Sequence, residues 1–465
     1  MKVSFSKIKI TPKDYMGVPM AGYTRKDPCL GKLDDIYANG VLIEGSSLKN
    51  AKENLLLISL DLLKVPLVWA NYVKKKINDE FKFLDPENIL IHATHTHSAP
   101  DLTGEFHWPG NAFSIIKGIM FGANRNDHYL VWLAFQIVKM VKKLFNSLKL
   151  CKIAWTKKSF NPDIVINRRH PKKTIAPDLG VIAFRQLENN KIIGFIINYA
   201  CHPTTLSYAN SKLSADYPGC VVHKIDELTN FEVKSVYFNG PAGDLNPITT
   251  CGTDYQKLEL DKSLVYAQLG TFEHTKKIGF AIAEDALKLA ESIPSENYLK
   301  KLEFESYLKD FSVPLKDHKY FSKTWFKNKL IYAFKKYFII SISKHIKANF
   351  PAFVIEHKLF TIKVNSILQY IKVKTYSESS SKSIEFSIIA VPGELFEEIG
   401  NNLIKKSPTG KKNTFIFQNS NDWIAYLFPL KEYMEVGGYE PVASFGPLCG
   451  EIVEKEMLAL FEKIK

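Results

Sequence analysis

Short apolar runs recur along the chain at 55–63 (LLLISLDLL), 88–94 (NILIHAT), 191–200 (KIIGFIINYA), 233–240 (VKSVYFNG), 384–393 (IEFSIIAVPG) and 413–419 (NTFIFQN). Each is too short for a helix of ordinary length and suits a strand buried on both faces. Between them, stretches such as 127–147 (DHYLVWLAFQIVKMVKKLFNS) and 271–292 carry apolar residues at spacings of three and four, the pattern of an amphipathic helix. Strand-like and helix-like segments in alternation predict an α/β protein, a layered mixed β-sheet flanked by helices. No internal repeat and no Pro/Gly/Ser-rich linker interrupts the pattern, so residues 1–465 are expected to form a single domain.

The 465 residues are 46% hydrophobic and 24% charged, which is ordinary globular composition and enough for a large core. The first residues, MKVSFSKIKITPKDYMG, hold no apolar run of the kind an export signal needs, and no later segment approaches a membrane span. A cytoplasmic protein is the resulting expectation. Six cysteines are scattered without a CxxC pair, which argues for reduced, mostly buried thiols rather than disulfides or a thiolate zinc site. The net charge of +14 is lysine spread along the chain, without arginine-rich blocks or a recognition motif, so nucleic acid is not an expected partner.

One stretch departs from this. Residues 318–355 contain no acidic residue and interleave eight lysines with many aromatics. Such a segment can lie in a lipid interface, with rings inserted and ammonium groups among anionic head groups. A helical excursion with its aromatics packed on the sheet and its lysines solvated would have the same composition.

The chemistry-bearing residues share one placement, immediately after an apolar run. His95 and His97 follow 88–94, His202 follows 191–200, NGPAGDLNP (239–247) follows the run at 234–238, Glu394 follows 384–391, and Tyr426 follows 413–418. In an open α/β sheet the loops at the carboxyl ends of strands share a crevice, so residues distant in sequence can meet there. His, His and Glu are the nitrogen and oxygen ligands with which a catalytic zinc keeps one position open. His92 lies within its strand and reads as a packed core residue. The turns GPAGD and PGE supply backbone N–H groups that could face a developing oxyanion, or serve simply as loop turns.

Taken in order, ITPKDYMGVPMAGY, ATHTHSAPD, INRRHP, NYACHPTTL with SADYPG, NGPAGDLNP, VPGELF and YLFPLKEYMEVGGYE resemble the neutral/alkaline (non-lysosomal) ceramidase family over nearly the whole chain. The resemblance implies a zinc amidohydrolase that cleaves the amide bond of N-acyl sphingoid lipids. It implies His95, His202, Glu394 and Tyr426 as zinc ligands and His97 as the acid/base that protonates the leaving amine. Arg168 would line the site, and Tyr439 would polarise the scissile carbonyl.

The sequence also departs from the family pattern. Asn246 stands where family members usually carry serine, a residue assigned an essential role as nucleophile or substrate hydrogen-bonding group. An amide cannot be deprotonated for attack, whereas it can donate a hydrogen bond if a zinc-activated water is the nucleophile. The C-terminal β-sandwich domain and secretion signal of the larger members are not expected here, and the spacing from Tyr426 to Tyr439 is one residue longer than the pattern. Three readings therefore stand: a zinc hydrolase of ceramide-like amides, a zinc hydrolase of a smaller amide or ester, and an inactive lipid- or membrane-binding relative. If 318–355 is an interfacial element, replacing Trp325 and Phe326 by serine weakens sedimentation with anionic liposomes while the circular dichroism spectrum stays unchanged.

Overall fold

Two sheets are built from the predicted runs and from strands that carry no such run. The computed structural model describes residues 1–23, 25, 27–45, 54–104, 106, 125–249, 270–314, 363–376, 383–433 and 440–464. The segment 318–355 and Tyr439 lie outside the described residues. The larger sheet comprises β1 (Lys2–Lys9), β2 (Tyr37–Glu44), β3 (Asn54–Leu60), β4 (Ile89–Ala93), β5 (Lys149–Ser159), β6 (Asp178–Gln186), β7 (Ile192–Tyr199) and β8 (Lys234–Asn239). Its order is β8-β7-β6-β5-β1-β2-β3-β4, parallel at the two outer pairs and antiparallel between them. The second sheet, β9 (Lys301–Pro314), β10 (Lys363–Tyr376), β11 (Ser383–Ala390) and β12 (Thr414–Phe417), runs in sequence order with only the β11/β12 pair parallel.

The pleat sorts side chains into layers, because successive residues of a strand point to opposite faces. On β2, Ala38 and Leu42 belong to one core and Val41 and Ile43 to another. The first core is covered by α1 (Leu67–Glu80) and α2 (Asp127–Asn146), and further along the same sheet α3 (Asp216–Leu228) and α4 (Phe272–Glu291) cover a second cluster. The opposite face packs on the second sheet, with Val41, Leu57 and Leu90 against a cluster that includes Ile371, Phe386 and Phe417. The far side of that sheet is closed by α5 (Glu397–Lys406) and α6 (Cys449–Ile464). Helix, sheet, sheet, helix is the resulting order of layers.

Helix ends follow local chemistry. Asn126 caps α2 by accepting the Tyr129 N–H, and Thr271 and His274 form a capping box on α4. The five described cysteines are free and buried. No helix among the described residues is long and apolar enough to cross a membrane.

The larger sheet curls, and this brings its outer strands β4 and β8 face to face without a backbone ladder between them among the described residues. The contacts across the gap are individual bonds. Asn239 N–H donates to His92 Nε2 at 3.2 Å, and Ser59 Oγ, 3.0 Å from His92 Nδ1, donates to the Tyr237 carbonyl at 2.7 Å. The chain that leaves β12 wedges into the same gap. Gln418 N–H donates to the Asn239 carbonyl at 3.1 Å on one side, and on the other Ala93 N–H donates to the Asn419 carbonyl at 3.1 Å. His92 is a fully buried core residue, and burial pushes its pKa down to about 3. Phe417 anchors the wedge by stacking on Phe238 with ring centroids 4.2 Å apart. Phe417→Ala therefore opens a cavity at the sheet-sheet junction and is expected to cost about 3–5 kcal/mol, read as a lower urea midpoint at unchanged slope.

Candidate metal centre

Each histidine of the site is aimed by its own loop. His95 follows β4 with φ of 69°, a left-handed conformation that costs a non-glycine residue energy and clusters at functional positions. Its N–H is held by the Leu62 carbonyl at 2.8 Å, and its ring Nδ1 lies 2.7 Å from the Leu63 carbonyl. His202 follows β7, with its N–H on the Leu245 carbonyl and its Nδ1 3.1 Å from the Ala242 carbonyl. A carbonyl can only accept, so in both rings Nδ1 carries the proton and Nε2 presents its lone pair. Two turns separated by more than a hundred residues thus deliver the same tautomer to one point.

Glu394 arrives from the second sheet. It follows β11 in the PGE turn, where its N–H donates to the Ala425 carbonyl at 3.0 Å and residues Glu394–Leu395 pair in parallel with Tyr426–Leu427. A side chain at Gly393 would lie 2.5 Å from the Ala425 carbonyl oxygen, so this close approach requires the glycine. Trp423 Nε1–H donates to Glu394 Oε1 at 3.1 Å and fixes the carboxylate. The other oxygen, Oε2, lies 3.3 Å from His95 Nε2 and 3.7 Å from His202 Nε2.

His97 joins the same group. Its Nε2 is 3.3 Å from that of His202, and His95, His97 and His202 form a buried set whose ligand atoms all lie within 4.8 Å of one another. The ring packs on Tyr23 at 4.6 Å, and Gly22, at φ of 95°, makes room for it, since a Cβ there would stand 2.4 Å from His97 Cγ. Arg25 closes the loop from behind by donating to the His97 carbonyl at 2.8 Å.

Three buried polar atoms in this cluster have no hydrogen-bond partner: His95 Nε2, His97 Nδ1 and Glu394 Oε2. Leaving such atoms unsatisfied in an interior is costly. Two ligands held about 2.0–2.1 Å from one tetrahedral zinc would stand roughly 3.3 Å apart; His95 Nε2 and Glu394 Oε2 stand at that distance, and His202 Nε2 lies at 3.7 Å from the same oxygen. Protonation states agree with it as well. Burial, and then the neighbouring His95, push the His202 imidazole down to about 3, and burial holds His97 well below its ordinary value. For Glu394, burial favours the neutral acid but is outweighed by His95, His202 and Arg168, leaving its pKa at about 2. Neutral imidazoles and an ionised carboxylate are what a divalent metal requires. The residues present therefore fit a metal.

A second cluster adjoins this one. Residues Val165–Asn167 pair in antiparallel register with Leu245–Pro247, which sets Arg168 beside Asn246. The Arg168 guanidinium donates to Glu440 Oε1 at 3.0 Å, to Asn246 Oδ1 at 2.8 Å and to the Gly243 carbonyl at 2.6 Å, and lies 5.3 Å from the centre of the Tyr426 ring. Arg169 donates to the other oxygen of Glu440 at 2.7 Å. Because Arg168 takes Asn246 through its carbonyl oxygen, the side-chain NH2 of Asn246 is directed elsewhere as a donor.

Among the expected residues, His95, His97, His202 and Glu394 meet at one point, Tyr426 is the register partner of Glu394, and Arg168 and Asn246 are bonded to each other beside it. Trp423 and Glu440 were not among the expected residues, although Glu440 closes the stretch YLFPLKEYMEVGGYE. Their roles depend on partners 29 and 272 positions away, which no local pattern announces.

In fold, the chain is similar to the crystal structure of neutral ceramidase from Pseudomonas aeruginosa, with a TM-score of 0.70 and 15% identity over 99% of this chain and 74% of that one. A ceramidase complexed with C2 is similar to the same degree, with a TM-score of 0.70 and 15% identity over 99% of this chain and 75% of that one. No protein-family model and no curated protein sequence matches the chain. The likeness is one of architecture, a mixed α/β fold with a large sheet flanked by helices.

Because Trp423 holds a carboxylate that faces the histidines, Trp423→Phe is expected to weaken affinity for a divalent metal, with zinc as the probe, about 10–100-fold without unfolding the chain. Competition with a chromophoric chelator measures the change.

Proposed function

We propose that this chain is a metal-dependent amidohydrolase of long-chain N-acyl amides, ceramide-like lipids among them. The observation that carries the reading is the convergence of His95 Nε2, His202 Nε2 and Glu394 Oε2 in a buried cluster where the first and last have no other partner. The architectural likeness to neutral ceramidases supports it. In this reading His95, His202, Glu394 and Tyr426 hold zinc within one catalytic domain spanning residues 1–465. A bound zinc would supply a Lewis acid for a carbonyl and bring the pKa of a coordinated water towards neutrality.

The chain's own residues do the rest. His97 stands beside the ligand set; neutral at rest, it takes a proton from the attacking water and passes it to the nitrogen that leaves. Arg168 is pinned by Glu440 and in turn holds Asn246, whose amide N–H donates to a polar group of the substrate. Tyr439 donates to the scissile carbonyl. Acyl transfer to water follows, releasing a carboxylic acid and an amine.

Asn246 gives a second reading its ground. An amide in place of the family serine suits a smaller amide or an ester, and side-by-side assays of ceramides, short N-acyl amides and esters separate the two substrate classes. The prior measurement is elemental analysis of the purified protein. About one zinc per chain is expected in the wild type and none in His202→Ala. Absence of metal from the wild type overturns the reading and favours a lipid-binding protein without catalysis. His97→Ala is expected to retain the metal and to lose about 10²–10⁴-fold in turnover.

A further inference from the structure

Beside the loop 240–245 lies a cavity of about 380 Å³. This is within the size range of small-molecule sites, roughly 300–1,000 Å³. Its walls come from β5, the entry to β6, the end of β7, α5 and β12, together with the loop residues Gly240 and Pro241. One part of the wall is apolar, with Pro241, Leu245, Ile404 and Ile416.

The rest is unevenly charged. Lys157, Lys405 and Lys411 line the cavity, and none of them has a carboxylate within 4.0 Å among the described residues. Lys157 is the innermost by its contacts, since its ammonium donates to the Thr414 carbonyl and lies 4.4 Å from the centre of the Phe415 ring. Two carboxylates share the wall. Glu397 is already committed, to Lys173 at 2.6 Å and as acceptor from Asn401 at 3.2 Å. Asp178 remains, acting on Lys157 only across a distance. Lys157 is half-buried; an ammonium drawn partly out of water without a close counter-ion is unfavourable, and desolvation pushes Lys157 down to about 8.

We propose that this cavity is a binding site for a small amphiphile with an anionic head and a short aliphatic tail. The head pairs with Lys157 and completes its coordination, Lys405 and Lys411 add attraction at long range from the exposed rim, and the tail lies on Pro177, Pro241 and Ile404. A carboxylate and a phosphate monoester offer the same head-group chemistry.

Titration calorimetry on the full chain tests this with octanoate, octyl phosphate, octylamine and inorganic phosphate as probes. Octanoate or octyl phosphate is expected to bind, and which of them binds more tightly identifies the head group. Octylamine is expected not to bind, and inorganic phosphate to bind at least about tenfold more weakly than the better amphiphile. Lys157→Met is expected to weaken that amphiphile at least about tenfold. Ile404→Trp, which fills the cavity and leaves the lysine in place, is expected to abolish binding, with circular dichroism confirming the fold of both variants. No heat with either amphiphile, equal affinity for octylamine, or binding that survives in both variants overturns the proposal. The titration needs no turnover, so its outcome is independent of whether the metal centre hydrolyses amides.

Discussion

The wedge of residues 417–421 between the two outer strands of the larger sheet is the constraint on which the site depends. An open sheet of eight strands would hold β4 at one margin and the β7/β8 pair at the other, too far apart for the loops that carry His95 and His202 to meet. Curling brings the margins together, and the backbone leaving β12 bonds to both, donating from the Gln418 N–H to β8 and accepting at the Asn419 carbonyl from β4. The stack of Phe238 on Phe417 makes the same junction part of the core between the sheets. Packing between layers and convergence of ligands are therefore one arrangement.

Around this junction the backbone repeatedly takes left-handed conformations at non-glycine residues: His95, Asn419, Asn421 and Ala425. Asparagine tolerates that region well, and histidine and alanine do so at a cost of order 1–3 kcal/mol. The cost falls where chains from two sheets must turn sharply within a few residues of each other. Hydrogen bonds to the Leu62 and Leu63 carbonyls hold His95 in place, and the Glu394 N–H bonded to the carbonyl of Ala425 does the same there. Strain and aim are linked, because the same turns that cost energy point the ligand atoms inward.

Much of this was legible in the sequence, and what was not has a physical cause. Runs such as LLLISLDLL and KIIGFIINYA announce β3 and β7 because a strand buried on both faces is apolar throughout. β1, β9 and β10 show no such run. In KVSFSKIK, for instance, polar and apolar residues alternate along a strand that is only partly buried, a signal weaker than a continuous run. The histidines and Glu394 could be found because each follows a clear run, whereas the wedge is a tertiary event. No window of sequence near Asn239 reveals that Gln418 will bond to it.

The feature with the widest reach is that the ligands come from opposite margins of one sheet and from a second sheet. A cation held by His95, His202 and Glu394 would tie together chain positions separated by 107, 192 and 299 residues. In the unfolded chain, closing loops of that length carries a large entropic cost, which a shared ion offsets in the folded state alone. The metal would then be as much a staple of the curled sheet as a reagent. Assembly of the site and final closure of the fold would become one cooperative event, with affinity for the ion and stability of the chain rising and falling together.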